Sequence, residues 1–427
     1  MENVLKDEML PAAVVMNMFY TGLGIARSLG ERGIPVLGLT AQGHVAGSRT
    51  RYAKKVICPD SREEPEALFE FLCRMGEQRR DRAVLFPTRD HDILFLNRYR
   101  EGLSRYFALV IPEGSVIAAC LDKWKTFQWA QRAGVAAPRS WAVEGKDELL
   151  RVAADLAYPC VLKPIAAHHW RTSGNWEAVS GRKAIKVASF EELLREYSRI
   201  AHSEPRALLQ EMIPGNDDDL FVAACYLDRE SRFVAGFAAQ KLVQVPEGFG
   251  TGCIVQSVER PELLARTVSL LQEGGFTGIA EVEYKRDPRS GEYVLIEINP
   301  RPWDQHRLGY DCGADLIYLA YCEQAGLPTP ALEPRRLERK WIAEDAFLMA
   351  ALQFLWRRDP RLRRLLQMAR GKRMYGIWSR KDPLPWVYFL GAHFLPGMVR
   401  SAAKAFWSSV KRKLQGRFVL REGRTAL

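Results

Sequence analysis

A six-residue run, Ile296-Glu297-Ile298-Asn299-Pro300-Arg301, constrains this chain more than any other stretch. Side chains alternate across an extended strand. As a strand, the run places Glu297, Asn299 and Arg301 on one face and turns Ile296 and Ile298 toward a core. One face then carries a carboxylate, a neutral oxygen ligand and a fixed cation. Such a set suits a divalent ion bound to a polyphosphate: hard oxygen donors for the ion, a guanidinium for the phosphoryl group. An amphipathic edge strand with solvated polar residues would look the same in isolation, so the weight falls on the residues upstream.

Glu281 and Glu283 also alternate with apolar residues and share a strand face. The turn residues Asp287-Pro288-Arg289-Ser290-Gly291 predict that Tyr293–Asn299 pairs back, bringing Glu281 and Glu283 beside Glu297 and Asn299. Carboxylates gathered on one face repel unless a cation lies among them. A divalent metal resolves that cost; Arg301 and Lys285 are the alternative compensators. Lys163 ends the apolar strand Pro159-Cys160-Val161-Leu162-Lys163-Pro164, so its ammonium reaches the rim or meets an anion. Lys123, after Asp122, stands at a helix start, where a cation is disfavoured unless an anion is near. Lys241 lies within the strand Gln240–Val245. Each lysine taken alone also reads as a solvated strand or helix end.

Ala12–Asn17, a glycine-bearing helix start at Thr21-Gly22-Leu23-Gly24 and a strand at Ile34–Leu39 predict a βαβ opening of a parallel sheet. Strands at Ala83–Pro87 and Ala108–Ile111 extend it. From Leu121 a strand-rich unit follows, with strands at Leu208–Ile213, Phe221–Tyr226, Phe233–Val245, Ile279–Tyr284 and Tyr293–Asn299 and a helix at Phe190–Ile200. The class expected is α/β followed by α+β, in three parts: 1–118, 119–330 and a basic, mainly helical 331–427. Helices are expected at Trp341–Trp356 and Arg361–Met368. Of the 62 Lys and Arg and 51 Asp and Glu, 22 and 6 lie in residues 335–427, so the net charge of +11 belongs to that last part. Eight scattered cysteines lack zinc or redox spacing, and no apolar leader or spanning segment is evident, which predicts a cytoplasmic protein.

The order Asp122-Lys123, then Pro159–Pro164, then Gln210-Glu211-Met212-Ile213-Pro214-Gly215, then Glu281-Val282-Glu283-Tyr284, then Glu297–Arg301 resembles the ATP-grasp superfamily, in its carboxylate–amine ligase branch. The segment Gln240–Pro246 with Gly250 and Gly252 is similar to that branch too. The resemblance covers about residues 12–330. It implies a Rossmann-like pre-ATP-grasp domain, an ATP-grasp domain, and an ATP- and Mg2+-dependent ligase, with Mn2+ as an alternative ion. Lys123, Lys163 and Lys241 would meet ATP; Glu211, Met212 and Ile213 would form the adenine-binding hinge. Asp219, chosen from Asp217, Asp218 and Asp219, would hold the ribose. Glu283, Glu297 and Asn299 match the metal ligands, with Glu281 the rival to Glu283. Arg301, with Lys163, would serve catalysis.

Segment 166–181, bulky where family members are glycine-rich, is expected to close over the phosphates, with His168, His169 or Arg171 in contact. The implied partners are a small carboxylate and an amine. Arg51, Arg89, Asp90, His306 and Arg307 are the candidates for reaching them, chiefly Arg89, His306 and Arg307. No nucleic-acid module is present. The basic, aromatic last part reads as a helical cap or as a peripheral contact with the inner face of a membrane. A dimer is plausible. Readings from other classes are a non-catalytic nucleotide-binding regulator and an enzyme with a thiol or carboxylation-type acceptor.

Overall fold

The computed structural model describes residues 10–41, 43, 45–166, 170, 179, 182–202, 204–332 and 338–398. Its first strands are β1 (Ala13–Met16), β2 (Val36–Thr40), β3 (Lys54–Ile57), β4 (Ala83–Phe86) and β5 (Phe107–Leu109). They form a parallel sheet in the order β3-β2-β1-β4-β5. β1 (AVVM) and β4 (AVLF) are buried at every residue, the pattern of strands covered on both faces by helices. The order reverses between β1 and β4, so the carboxyl ends of these strands flank a crevice of the kind in which open α/β sheets bind ligands.

A small antiparallel sheet follows, made of β6 (Ser140–Glu144), β7 (Cys160–Pro164), β8 (Ile185–Val187) and β9 (Arg206–Glu211) in the order β6-β9-β7-β8. The third sheet contains β10 (Leu220–Leu227), β11 (Phe233–Val245), β12 (Thr251–Val258), β13 (Gly278–Arg286) and β14 (Tyr293–Asn299). It is completed by β15 (Lys340–Ile342) and β16 (Arg373–Tyr375), in the order β14-β13-β10-β11-β12-β15-β16. Each residue of β10 is buried, because both faces of this sheet are covered. Phe221, Ala223, Cys225 and Leu227 pack with Trp129 and Leu270. Val222, Ala224 and Tyr226 join a core shared with Tyr20, Leu23 and Trp341, which locks the first sheet onto the third.

The last part departs from expectation. The helix expected from Trp341 begins at Glu344, and Lys340–Ile342 is instead a strand paired with β12. Residues beyond 331 therefore supply two strands of the large sheet as well as helices. They are also tied to the first sheet's helix Tyr20–Gly30: Arg27 Nε donates to Asp382 at 3.0 Å, and both side chains are almost wholly buried. No helix among the described residues is long and apolar enough to cross a membrane.

Candidate active site

The third sheet delivers the acidic face. β13 and β14 pair antiparallel with Glu281 opposite Asn299 and Glu283 opposite Glu297. Directly opposed residues share a face, so these four polar side chains lie together while Ala280, Val282, Tyr284, Leu295 and Ile298 enter the core behind them. Ile296 differs from expectation. The register steps from Glu283–Glu297 to Tyr284–Leu295, so β14 carries a one-residue bulge at Ile296. Alternation breaks there, and Ile296 lines the cleft next to Glu297 instead of entering the core.

The cleft is a cavity of about 630 Å³ between the second and third sheets, bordered by the first. Three of its lysines come from three different elements. Lys123 opens the helix Lys123–Arg132, capped by the Asp122 carboxylate, which accepts from the amides of Trp124 and Lys125. Its Nζ lies 3.1 Å from Glu297 Oε1. Lys241, on β11, sits 2.6 Å from Glu283 Oε1. Lys163, on β7, donates to Gln210 Oε1 at 2.6 Å, and Gln210 in turn donates to Ser140 Oγ at 2.9 Å. Arg301 is aimed by Asp90, the first residue of the helix Asp90–Arg98 that follows β4, with Nε to Oδ1 at 2.7 Å, and its Nη2 approaches Asn299 Oδ1 at 3.4 Å.

The titrating groups show what the cleft lacks in its own charges. Burial, reinforced by Glu283, pushes Glu281 up to about 8. Burial also opposes the charge of Glu297, yet Lys123 and Lys163 hold its carboxyl at about 2. Burial and the neighbouring Lys123 ammonium bring Lys163 down to about 8. Burial acts against the Lys241 charge, and Glu283 and Glu281 more than reverse it, so that ammonium is raised. Three acids and an amide oxygen on one buried face, one of them pushed toward neutrality, fit an added hard cation with all-oxygen donors. The ammonium groups opposite fit a polyphosphate. A second acidic trio, Asp228, Glu230 and Glu323, converges at the other end of β10, outside this cleft.

Lys123, Lys163, Lys241, Glu211, Met212, Ile213, Glu283, Glu297, Asn299, Arg301 and Arg89 all line the cleft, as does the rival Glu281. Asp219 does not: its Oδ2 accepts from the amide of Asn216 at 2.8 Å, closing a local turn. The neighbouring Asp217 lines the cleft and accepts from Gln244 Nε2 at 2.9 Å. His306 and Arg307 fall outside as well. The His306 ring packs against the helix Tyr20–Gly30, with Nε2 3.1 Å from Thr21 O. A Cβ on Gly24 would come within 2.5 Å of that nitrogen, so glycine there is what admits the ring. Burial takes His306 down to about 4, the state of a neutral packing residue. Arg307 pairs with Glu31 at 3.4 Å, and the amide of Arg51 donates to Asp382. Residues 167–169, 171–178, 180 and 181, and with them His168, His169 and Arg171, lie outside the described residues. Lys183 and Lys186 line the cleft without a sequence signal, as does Gln210, which the sequence places in a motif but gives no role. Gln210 pairs with Val161, two residues before Lys163 on β7, and so shares the strand face of Lys163.

The chain has the ATP-grasp fold, two sheets gripping a cleft with acids on one side and ammonium groups on the other. No family model matches it. Among curated proteins it is similar to D-aspartate ligase of Enterococcus faecium (strain Aus0004), 23% identical over 317 residues, covering 70% of this chain and 73% of that one. It is also similar to D-alanine–D-alanine ligase of Pseudomonas entomophila (strain L48), 21% identical over 249 residues and covering 55% and 70%. The fold matches N5-carboxyaminoimidazole ribonucleotide synthetase in its ADP complex, with a TM-score of 0.60, 15% identity and 77% and 81% coverage. It likewise matches biotin carboxylase of Campylobacter jejuni, with a TM-score of 0.62, 17% identity and 78% and 75% coverage.

Proposed function

We propose that the chain is an ATP- and magnesium-dependent carboxylate–amine ligase that works through an acyl phosphate. The observation carrying this reading is the facing of Glu281, Glu283, Glu297, Asn299 and Arg301 against Lys123, Lys163 and Lys241 in one cleft. Lys123 and Lys163 would bind the phosphates, and the backbone of Glu211–Ile213 would hold the adenine with Ile296 against its face. Asp217 takes the ribose role first given to Asp219. Lys123 and Lys241 now neutralise Glu297 and Glu283; turning toward phosphate, they would free both carboxylates, with Asn299, to hold the ion. Magnesium, for which Mn2+ is a chemically similar substitute, would there neutralise charge developing on the phosphate oxygens.

A substrate carboxylate oxygen attacks the γ-phosphorus and ADP leaves. The amine then attacks the acyl carbon and inorganic phosphate leaves, giving the amide. Arg301, held by Asp90, is placed to stabilise the transferred phosphoryl group and the tetrahedral oxyanion. The test is release of ADP and phosphate with a panel of carboxylates and amines. AMP formation would mean adenylation, and turnover with bicarbonate and no amine would point to carboxylation.

The same proposal extends to the setting. All eight cysteines are unpaired thiols, as a reducing cytoplasm favours. Leu384, Val387 and Leu395 are exposed on the segment that leads into the basic end of the chain, which supports contact with anionic lipid. Co-sedimentation with anionic vesicles that is lost at high salt tests that contact, and sedimentation velocity tests for a dimer.

A further inference from the structure

A second cavity, of about 480 Å³, lies at the carboxyl ends of β1 to β3, beside the ATP cleft. Its wall is largely apolar, including Met16, Leu39 and Leu68, and its roof is Phe389 and His393 from the last part of the chain. The two cavities adjoin. Arg89 lines both, and within the turn entering the first helix Phe19 lines the second while Thr21 lines the first.

The charges in this cavity are unequal. Asp60, Asp92 and Asp345 line it, against Arg89 and the imidazole of His393. Arg89 is already engaged by two of the acids, at 3.3 Å from Asp60 and 2.9 Å from Asp92. Among the described residues no Lys or Arg pairs with Asp345; its Oδ1 accepts from Tyr20 Oη and the amide of Ala346. Asp345 also adds to the negative field at Asp304, which lines the ATP cleft. Among the described residues, an acid with no cationic partner thus lines the apolar chamber, bonded to Tyr20 in the turn whose neighbours Phe19 and Thr21 line the two cavities.

Resting on the ligase reading above, we propose that this chamber is the acceptor pocket and takes a primary amine with an apolar body. The ammonium would sit at Asp345, facing the cleft, and the body would lie under Phe389. The roof makes the last part of the chain a component of substrate recognition. A small polar amino acid would leave the chamber unfilled, whereas an alkyl chain of several carbons matches its wall.

The probes are n-butylamine, n-hexylamine and n-octylamine, with n-octanoate and n-octanol as controls, measured by calorimetry on the full chain. Affinity should rise about fourfold per added methylene, the factor for burying one CH2. Octylamine should bind at least tenfold more tightly than octanoate. Asp345→Asn, which keeps an oxygen for Tyr20 and Ala346, should weaken octylamine at least tenfold and leave MgATP affinity within twofold. Phe389→Leu should flatten the chain-length dependence. Absence of amine binding, equal binding of octanoate, or an Asp345→Asn variant that binds octylamine like the parent each overturns the proposal. MgATP binding, titrated separately, keeps the two readings apart. Without it the ligase reading falls whatever the amines do; MgATP binding without amine binding removes the acceptor pocket alone.

Discussion

Lys163 gives the sharpest test of the cleft's electrostatics, because the residue that should bind phosphate is held at a cost to the fold. Its ammonium is buried and faces Lys123, which together lower it from lysine's usual 10.5 to about 8. At about 1.4 kcal/mol per pKa unit, the charged form destabilises the folded chain by about 3 kcal/mol. The sign follows from proton counts. Below pH 8 both folded and unfolded chains carry the proton and the cost is complete. Between 8 and 10.5 the unfolded chain still binds it and the folded one does not, so stability rises with pH and the cost is gone above that window.

Replacing Lys163 by Met removes the charge and keeps the stem's volume. It also leaves Gln210 Oε1 without its donor, a loss of roughly 1–2 kcal/mol. The variant should therefore be about 1–2 kcal/mol more stable than the parent at pH 7, with the gap closing by pH 9.5. MgATP affinity should fall by roughly 10–100-fold, the loss of a charge-assisted bond in a buried site. Urea denaturation followed by tryptophan fluorescence at both pH values, with calorimetric titration of MgATP, makes the comparison. A variant less stable at pH 7, with the same deficit at pH 9.5, would refute the account of Lys163 as a strained, phosphate-seeking charge.

Glu297→Gln should lower ATP turnover by roughly 10²–10³-fold with an unchanged circular dichroism spectrum, since it weakens ion binding opposite Lys123; parent-like turnover removes Glu297 from the ion site. Asp217→Asn should raise the MgATP dissociation constant several-fold while Asp219→Asn leaves it near the parent value, and the reverse order would restore Asp219 to the ribose. Asp382→Ala strips the buried Arg27 of its carboxylate and should cost roughly 3–5 kcal/mol, read as a lowered urea midpoint; a shift within error would show that the last part of the chain is not bound to the first sheet through this pair.

What the sequence disclosed and what it withheld divide along a physical line. The facing of Glu297, Asn299 and Arg301 was legible because strand alternation is local, and the partnership of Glu281 and Glu283 with them needed only a five-residue turn. The bulge at Ile296 was not, because a bulge exists only relative to a partner strand's register. His306 and Arg307 looked like cleft residues by their nearness in sequence to Arg301. The chain leaves the cleft only after Gln305, so that His306 seats on Gly24 and Arg307 pairs with Glu31. That direction is set by packing between residues some 280 positions apart, which periodicity does not encode. The last part of the chain misled for a related reason. Its high Lys and Arg content suggested an appended cap, whereas β15 and β16 are three residues each, too short to show alternation. Their place in the sheet is set by β12, and Asp382 is fixed by a bond to Arg27, 355 residues earlier. The same long-range tie brings Phe389 over the first sheet. A segment that composition marks as peripheral thereby becomes the roof of the chamber beside the nucleotide cleft.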